Sequence, residues 1–180
     1  MTEEDYTWFL ILVQIPAQPS RHRVAVWREL RRTGAVPVSP GTWALPALPA
    51  FETALERARE LAKRGSGTLT VIDAAPRDEA GAELLRTAFS EAREEEWKEF
   101  IADCGKFDAE IAREVAKSNF TFGELEEEEQ SLDRLRRWYR ELKSRDVLRL
   151  PQADVAQDHL SRCVSVLDDY AQQVYETVLP

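Results

Sequence analysis

Apolar and polar positions change rhythm along this chain, and each change marks an element. Residues 7–15 read TWFLILVQI, an unbroken apolar and β-branched run closed by Pro16 and Pro19. Such a run predicts a strand covered on both faces, and so central in its sheet. Residues 21–33 then read as a helix, with Ser20 as its N-cap and Gly34 as its stop. Ala35–Val38 and Thr42–Leu45 are short β-like runs flanking Pro40-Gly41, a hairpin signal. A second helix is predicted over about 50–64, where Phe51, Leu55, Ala58 and Ala62 recur at spacings of four, three and four. Gly65-Ser66-Gly67 ends it, and Thr68–Asp73 supplies a last strand. The order β-α-β-β-α-β is the ferredoxin-like arrangement, a sheet with two helices on one face.

Beyond Ala74-Ala75-Pro76 the period lengthens. Leu85, Phe89, Ala92, Trp97, Phe100, Cys104, Phe107, Ile111 and Val115 follow three/four spacing, which predicts one long amphipathic helix from 78 to about 117. Residues 118–123 (SNFTFG) break it. A second helix carries Leu125, Leu132, Leu135, Tyr139 and Leu142. After Pro151 a third carries Leu160, Cys163, Leu167, Tyr170, Val174 and Val178. The expected fold is therefore α+β: a ferredoxin-like domain over 1–76, then an acidic helical domain over 77–180 of about three long helices packed on the first.

Composition adds little to this picture; charge adds more. The 180 residues are 43% hydrophobic, enough for a packed core, and carry a net charge of −9. Residues 1–75 hold nine Lys/Arg against eight Asp/Glu, whereas 76–180 hold fifteen against twenty-five. An acidic protein is repelled by phosphate at long range, which excludes unspecific nucleic-acid coating but leaves room for a basic patch in the first half. Two cysteines far apart form neither a disulfide framework nor a zinc spacing. The apolar run Trp8–Val13 is too short to span a bilayer, and Glu3, Glu4 and Asp5 are unlike the start of a signal peptide. A cytoplasmic protein without a membrane partner is expected.

The first helix carries the most suggestive chemistry. At about 100° per residue, Arg21, Arg28 and Arg32 fall on one stripe, with Arg23 and Arg31 at its margins. Val26, Trp27 and Leu30 are expected to face the sheet. Arginines near a helix N-terminus suit phosphate or another oxyanion. The alternative is a solvated face whose arginines pair with acidic residues of the second half. Glu124 and Glu126 to Glu129 read as helix-start charge rather than a metal site, since contiguous glutamates point in several directions. Cys104 and Cys163 read as buried, inert thiols. His22 and His159 lack partners at ligand spacing, and neither a nucleophile–base set nor a phosphate loop is present, so no catalytic residue, metal or cofactor is expected.

Several stretches together resemble the N-terminal domain of the chromate-resistance protein ChrB. They are Trp8 to Pro16, Pro19 to Arg28, Gly34-Ala35 and Thr42 to Pro46 in the first half. In the second they are Phe120 to Glu127 and Ser144-Arg145-Asp146, with the spaced Leu160, Cys163 and Tyr170. The resemblance implies a chromate-responsive regulator of an efflux transporter gene, and with it promoter DNA, chromate or another oxyanion as partners. The first half is also similar to the ferredoxin-like domain of Cas2 nucleases and PaaX-type repressors, which implies a homodimer. The nuclease pattern wants an acidic residue near the end of the first strand, where Gln14 and Ile15 stand, so nuclease action is not expected. The function expected is stress-linked transcription regulation, with Arg21, Arg23, Arg28, Arg31 and Arg32 as contacts to DNA or anion. A protein-interaction adaptor working through its acidic helices is the alternative.

Overall fold

The structure is a computed structural model, and it describes residues 7–179. Glu3, Glu4 and Asp5 lie outside them. The chain is α+β, with one four-stranded antiparallel sheet and five helices among the described residues. In order these are β1 (Trp8–Gln14), α1 (Ser20–Thr33), β2 (Val36–Ser39), β3 (Thr42–Pro46), α2 (Pro49–Arg64) and β4 (Thr68–Ala74). Three helices follow: α3 (Glu79–Ala116), α4 (Phe122–Arg145) and α5 (Gln152–Val178). The chain divides into two compact units, one through Ala92 and one from Arg93 onward.

The first unit is organised around β1, which lies between β3 and β4 in the strand order β2-β3-β1-β4. Ile11 pairs with Trp43 on one side and Val71 on the other, and it is fully buried. Alternation sends Trp8 to the opposite face, where its ring meets Phe89 of α3 edge-on at 6.1 Å. Cover on both faces explains the continuous apolar run of this strand.

Two turns shape the sheet's edges. Gly41, at φ +74°, turns β2 into β3, and its carbonyl accepts the Val13 N–H at 2.7 Å. A Cβ there would stand 3.0 Å from the Val13 carbonyl oxygen, in a backbone region that L-residues rarely adopt. At α1 the expected cap is corrected by one residue. Ser20 is the first helical residue, Pro19 occupies the N-cap position, and no side chain caps this end. The helix end does match expectation, with Gly34 left-handed at φ 98° and its N–H bonded to the Arg31 carbonyl.

In the second unit, α3, α4 and α5 share one apolar core. Trp97, Phe100, Cys104, Phe107 and Ile111 of α3 meet Leu125, Leu132, Leu135 and Leu142 of α4, and Leu160, Cys163, Leu167, Tyr170 and Val174 of α5. The ends of two predicted stripes depart from this: Val115 and Val178 are exposed.

Polar groups inside this unit are mostly paired, as burial requires. Asp146 accepts the Trp97 indole N–H at 3.0 Å. The guanidinium of Arg93, only 2% exposed, bonds Glu96 at 2.9 Å, and Arg145 reaches the same carboxylate at 3.0 Å. Thr121 caps α4 through the Glu124 N–H, and Tyr170 donates to the Asn119 carbonyl at 2.5 Å. Segments 120–127 and 144–146 thus act as joints of the helical core.

Candidate functional site

Helix α1 buries one face and leaves a broad arc of its circumference in solvent. Val26, Leu30 and Thr33 define the buried face. Trp27 does not join them, and the expectation that it faces the sheet is corrected: it is 52% exposed. The reason is angular. Trp27 lies about 90° from the mean direction of those three residues, at the margin of the buried arc.

That position aligns Trp27 with Arg23 and Arg31 at four-residue spacing. The Arg31 guanidinium carbon sits 5.9 Å from the Trp27 ring centroid, within cation–π range. Arg23 and Trp27 border a small cavity of about 230 Å³ whose walls include Val13, Ile15, Gly41 and Trp43. The exposed face therefore carries two rows. One is the expected stripe of Arg21, Arg28 and Arg32; the other is Arg23, Trp27 and Arg31, which the margin placement of those arginines had hidden.

The five arginines are not equivalent. Arg32 is bound to Glu29 one turn back, at 2.7 Å. Glu29 also accepts Arg57 of α2 at 3.1 Å, so this carboxylate holds α1 and α2 together. Among the described residues Arg21 meets the His22 imidazole, at 3.4 Å. Among the described residues no carboxylate pairs with Arg21, Arg23, Arg28 or Arg31. The pairing alternative thus describes Arg32 alone, and through a glutamate of its own helix. Four guanidinium groups on one helix face without a described carboxylate partner, one of them over an exposed indole, suit a phosphate, a tetrahedral oxyanion or a stacked base.

The remaining candidates fall into place around this. Cys104 and Cys163 are fully buried, and the Cys163 thiol donates to the Cys104 carbonyl at 3.6 Å. The hydrogen bond with Cys104, and then burial, hold the Cys163 thiol well above its ordinary value. Among the described residues no group of three His, Cys, Asp or Glu side chains is placed to hold a metal ion, and no described helix is long and apolar enough to cross a membrane.

One residue of the glutamate run departs from the solvated reading. Glu128 is 6% exposed, and burial pushes its carboxyl up to about 6. Its neighbours in the buried stripe of α4 are Leu125 and Leu132. Spacings of three and four in that stripe were the signal, since they put position 128 on the core side.

An antiparallel sheet carrying α1 and α2, joined to a three-helix acidic unit, defines an α+β class of protein with a basic helix face. Within that class, the family model described as "Protein ChrB, N-terminal" matches residues 23–179. The chain belongs to the ChrB N-terminal family, a membership that suggests an association with chromate resistance. Comparison with curated proteins returns no match.

Proposed function

We propose that the chain is a regulatory protein of chromate or related oxyanion stress, acting in the cytoplasm as a homodimer and contacting promoter DNA or the oxyanion itself through α1. The observation that carries this reading is the exposed face of α1, where Arg31 lies over the half-exposed Trp27 and Arg21, Arg23, Arg28 and Arg31 have no carboxylate partner among the described residues. Membership of the ChrB N-terminal family supplies the chromate context. We infer a ferredoxin-like arrangement for the first unit. Its support is the order β1-α1-β2-β3-α2-β4 together with the antiparallel strand order β2-β3-β1-β4. The reading assigns the chain no catalytic step.

A second reading is favoured by a different surface. At the start of α4 and the end of α5, Phe122 and Tyr175 meet edge-on at 5.5 Å while both remain about half exposed, and Val178 and Leu179 are exposed beside them in sequence. An adaptor that docks another protein on its helical unit would use such a patch.

Binding of the chain to DNA upstream of its own coding region, at two salt concentrations and with and without chromate, separates the two. The regulator reading expects affinity that falls as salt rises and is released by chromate. Absence of binding at low salt would remove that reading and leave the adaptor.

A further inference from the structure

Between α3 and α4 lies a cavity of about 450 Å³ that the α1 reading does not use. Its apolar wall is Phe107, Leu135 and Trp138, and Asp103, Lys106, Glu110, Ser131, Arg134 and Glu128 complete it. A volume in this range accommodates a small organic molecule.

The polar groups around the cavity are, with one exception, already engaged. Lys106 binds Asp103 at 2.5 Å, Arg134 donates to the Ser131 hydroxyl at 2.8 Å, and Glu110 pairs with Arg113. One turn away, Glu114 is held by Lys117 and Asn119, and Glu124 by Asn119. On α5 the Tyr170 hydroxyl is committed to the Asn119 carbonyl. Glu128 is the exception. More than nine-tenths of it is buried, it lines the cavity, and no described residue donates a hydrogen bond or forms an ion pair with it. Its carboxylate is not sealed in the core but meets the cavity, so a donor carried by a ligand can reach it.

The surroundings specify the donor's charge. Glu110, Glu124, Glu114 and Glu127 all bear on Glu128 and raise its carboxyl further, so the local potential is negative despite Lys106 and Arg134. Trp138 and Phe107 add aromatic surface, which favours a cation over a neutral donor. We propose that this cavity binds a small organic cation, an ammonium or amidinium group on an apolar or aromatic body, with Glu128 as its counter-ion.

The ligand then competes with a proton for Glu128. Above pH 6 the carboxylate is ionised and the site is competent; below it, affinity falls about tenfold for each pH unit.

The test uses the whole chain and three probes: phenethylamine, benzamidine and agmatine, with 2-phenylethanol as the neutral counterpart of the first. Amide and indole resonances of Phe107, Leu135 and Trp138 report occupancy. At least one cation is expected to saturate these shifts at pH 7.5, about tenfold or more tightly than at pH 5. Glu128→Gln is expected to weaken that cation at least tenfold while leaving the helical content unchanged. The pH arm reads the same dependence in the unaltered protein. The proposal is overturned if none of the cations shifts these resonances at 20 mM. Equal binding of 2-phenylethanol, undiminished binding by Glu128→Gln, or saturation by inorganic phosphate instead would overturn it equally.

Discussion

Helices α1 and α4 each carry a run of like charge, and the two runs meet opposite fates. On α1 the arginines ring an exposed arc, and only Arg32 is tied to a described carboxylate, Glu29. On α4 one glutamate of the run, Glu128, turns inward and is buried among leucines. Charge sign and charge density do not distinguish the cases. What does is each residue's angle to the apolar stripe, since a helix buries whatever lies on that side. A third case completes the comparison: Arg93 is buried more deeply than Glu128, yet Glu96 neutralises it. Burial with a counter-charge is a structural joint, and burial without one is a site.

The largest expected effect comes from breaking the satisfied case. Glu96→Ala removes the carboxylate that bonds the buried Arg93 guanidinium at 2.9 Å and should destabilise the protein by about 3 kcal/mol, read from urea unfolding.

Next comes the unsatisfied case, with the opposite sign. The Glu128 carboxyl is raised to about 6 in the folded chain, above its ordinary 4.5. The folded state therefore holds this proton more tightly than the unfolded one. That stabilisation is complete below pH 4.5 and lost as pH rises through 6. Glu128→Gln should then stabilise by roughly 1–2 kcal/mol at pH 7.5 and change little at pH 4, as thermal unfolding at the two pH values would show. A destabilised variant at pH 7.5 would mean that the carboxylate has a partner after all.

A cap lies between these and the surface. Thr121→Ala removes the acceptor for the Glu124 N–H and should cost about 1 kcal/mol. An effect of similar size is expected at Trp27, whose replacement by Ala should cost about 1 kcal/mol, because only half of the residue is buried.

These particular residues show how far the sequence could be read. The central strand was legible because cover on two faces demands an uninterrupted apolar run, and 7–15 is one. The stripe Phe51, Leu55, Ala58 and Ala62 of α2 was legible because all four positions fall on one arc and are buried. Trp27 was misplaced because composition weighs an indole as core, whereas its angle puts it at the margin beside Arg23 and Arg31. Glu128 was missed for the mirror-image reason: a run of acids reads as solvated, although the three/four spacing from Leu125 to Leu132 passes through it. The pairings Trp97–Asp146 and Arg93–Glu96–Arg145 could not be anticipated, since Asp146 and Arg145 lie 49 positions from their α3 partners and only tertiary packing joins them.

The central claim is that the exposed arc of α1 is the working surface, and the salt dependence of DNA binding tests it most directly. Affinity would be measured across a salt series for the unaltered chain, for Arg23→Ala/Arg31→Ala and for Arg32→Ala. If both arginines of the Trp27 row contact phosphate, the double variant should lower the slope of log affinity against log salt by roughly two, with a much smaller change for the Glu29-bound Arg32. Equal slopes for the unaltered chain and the double variant would contradict the account.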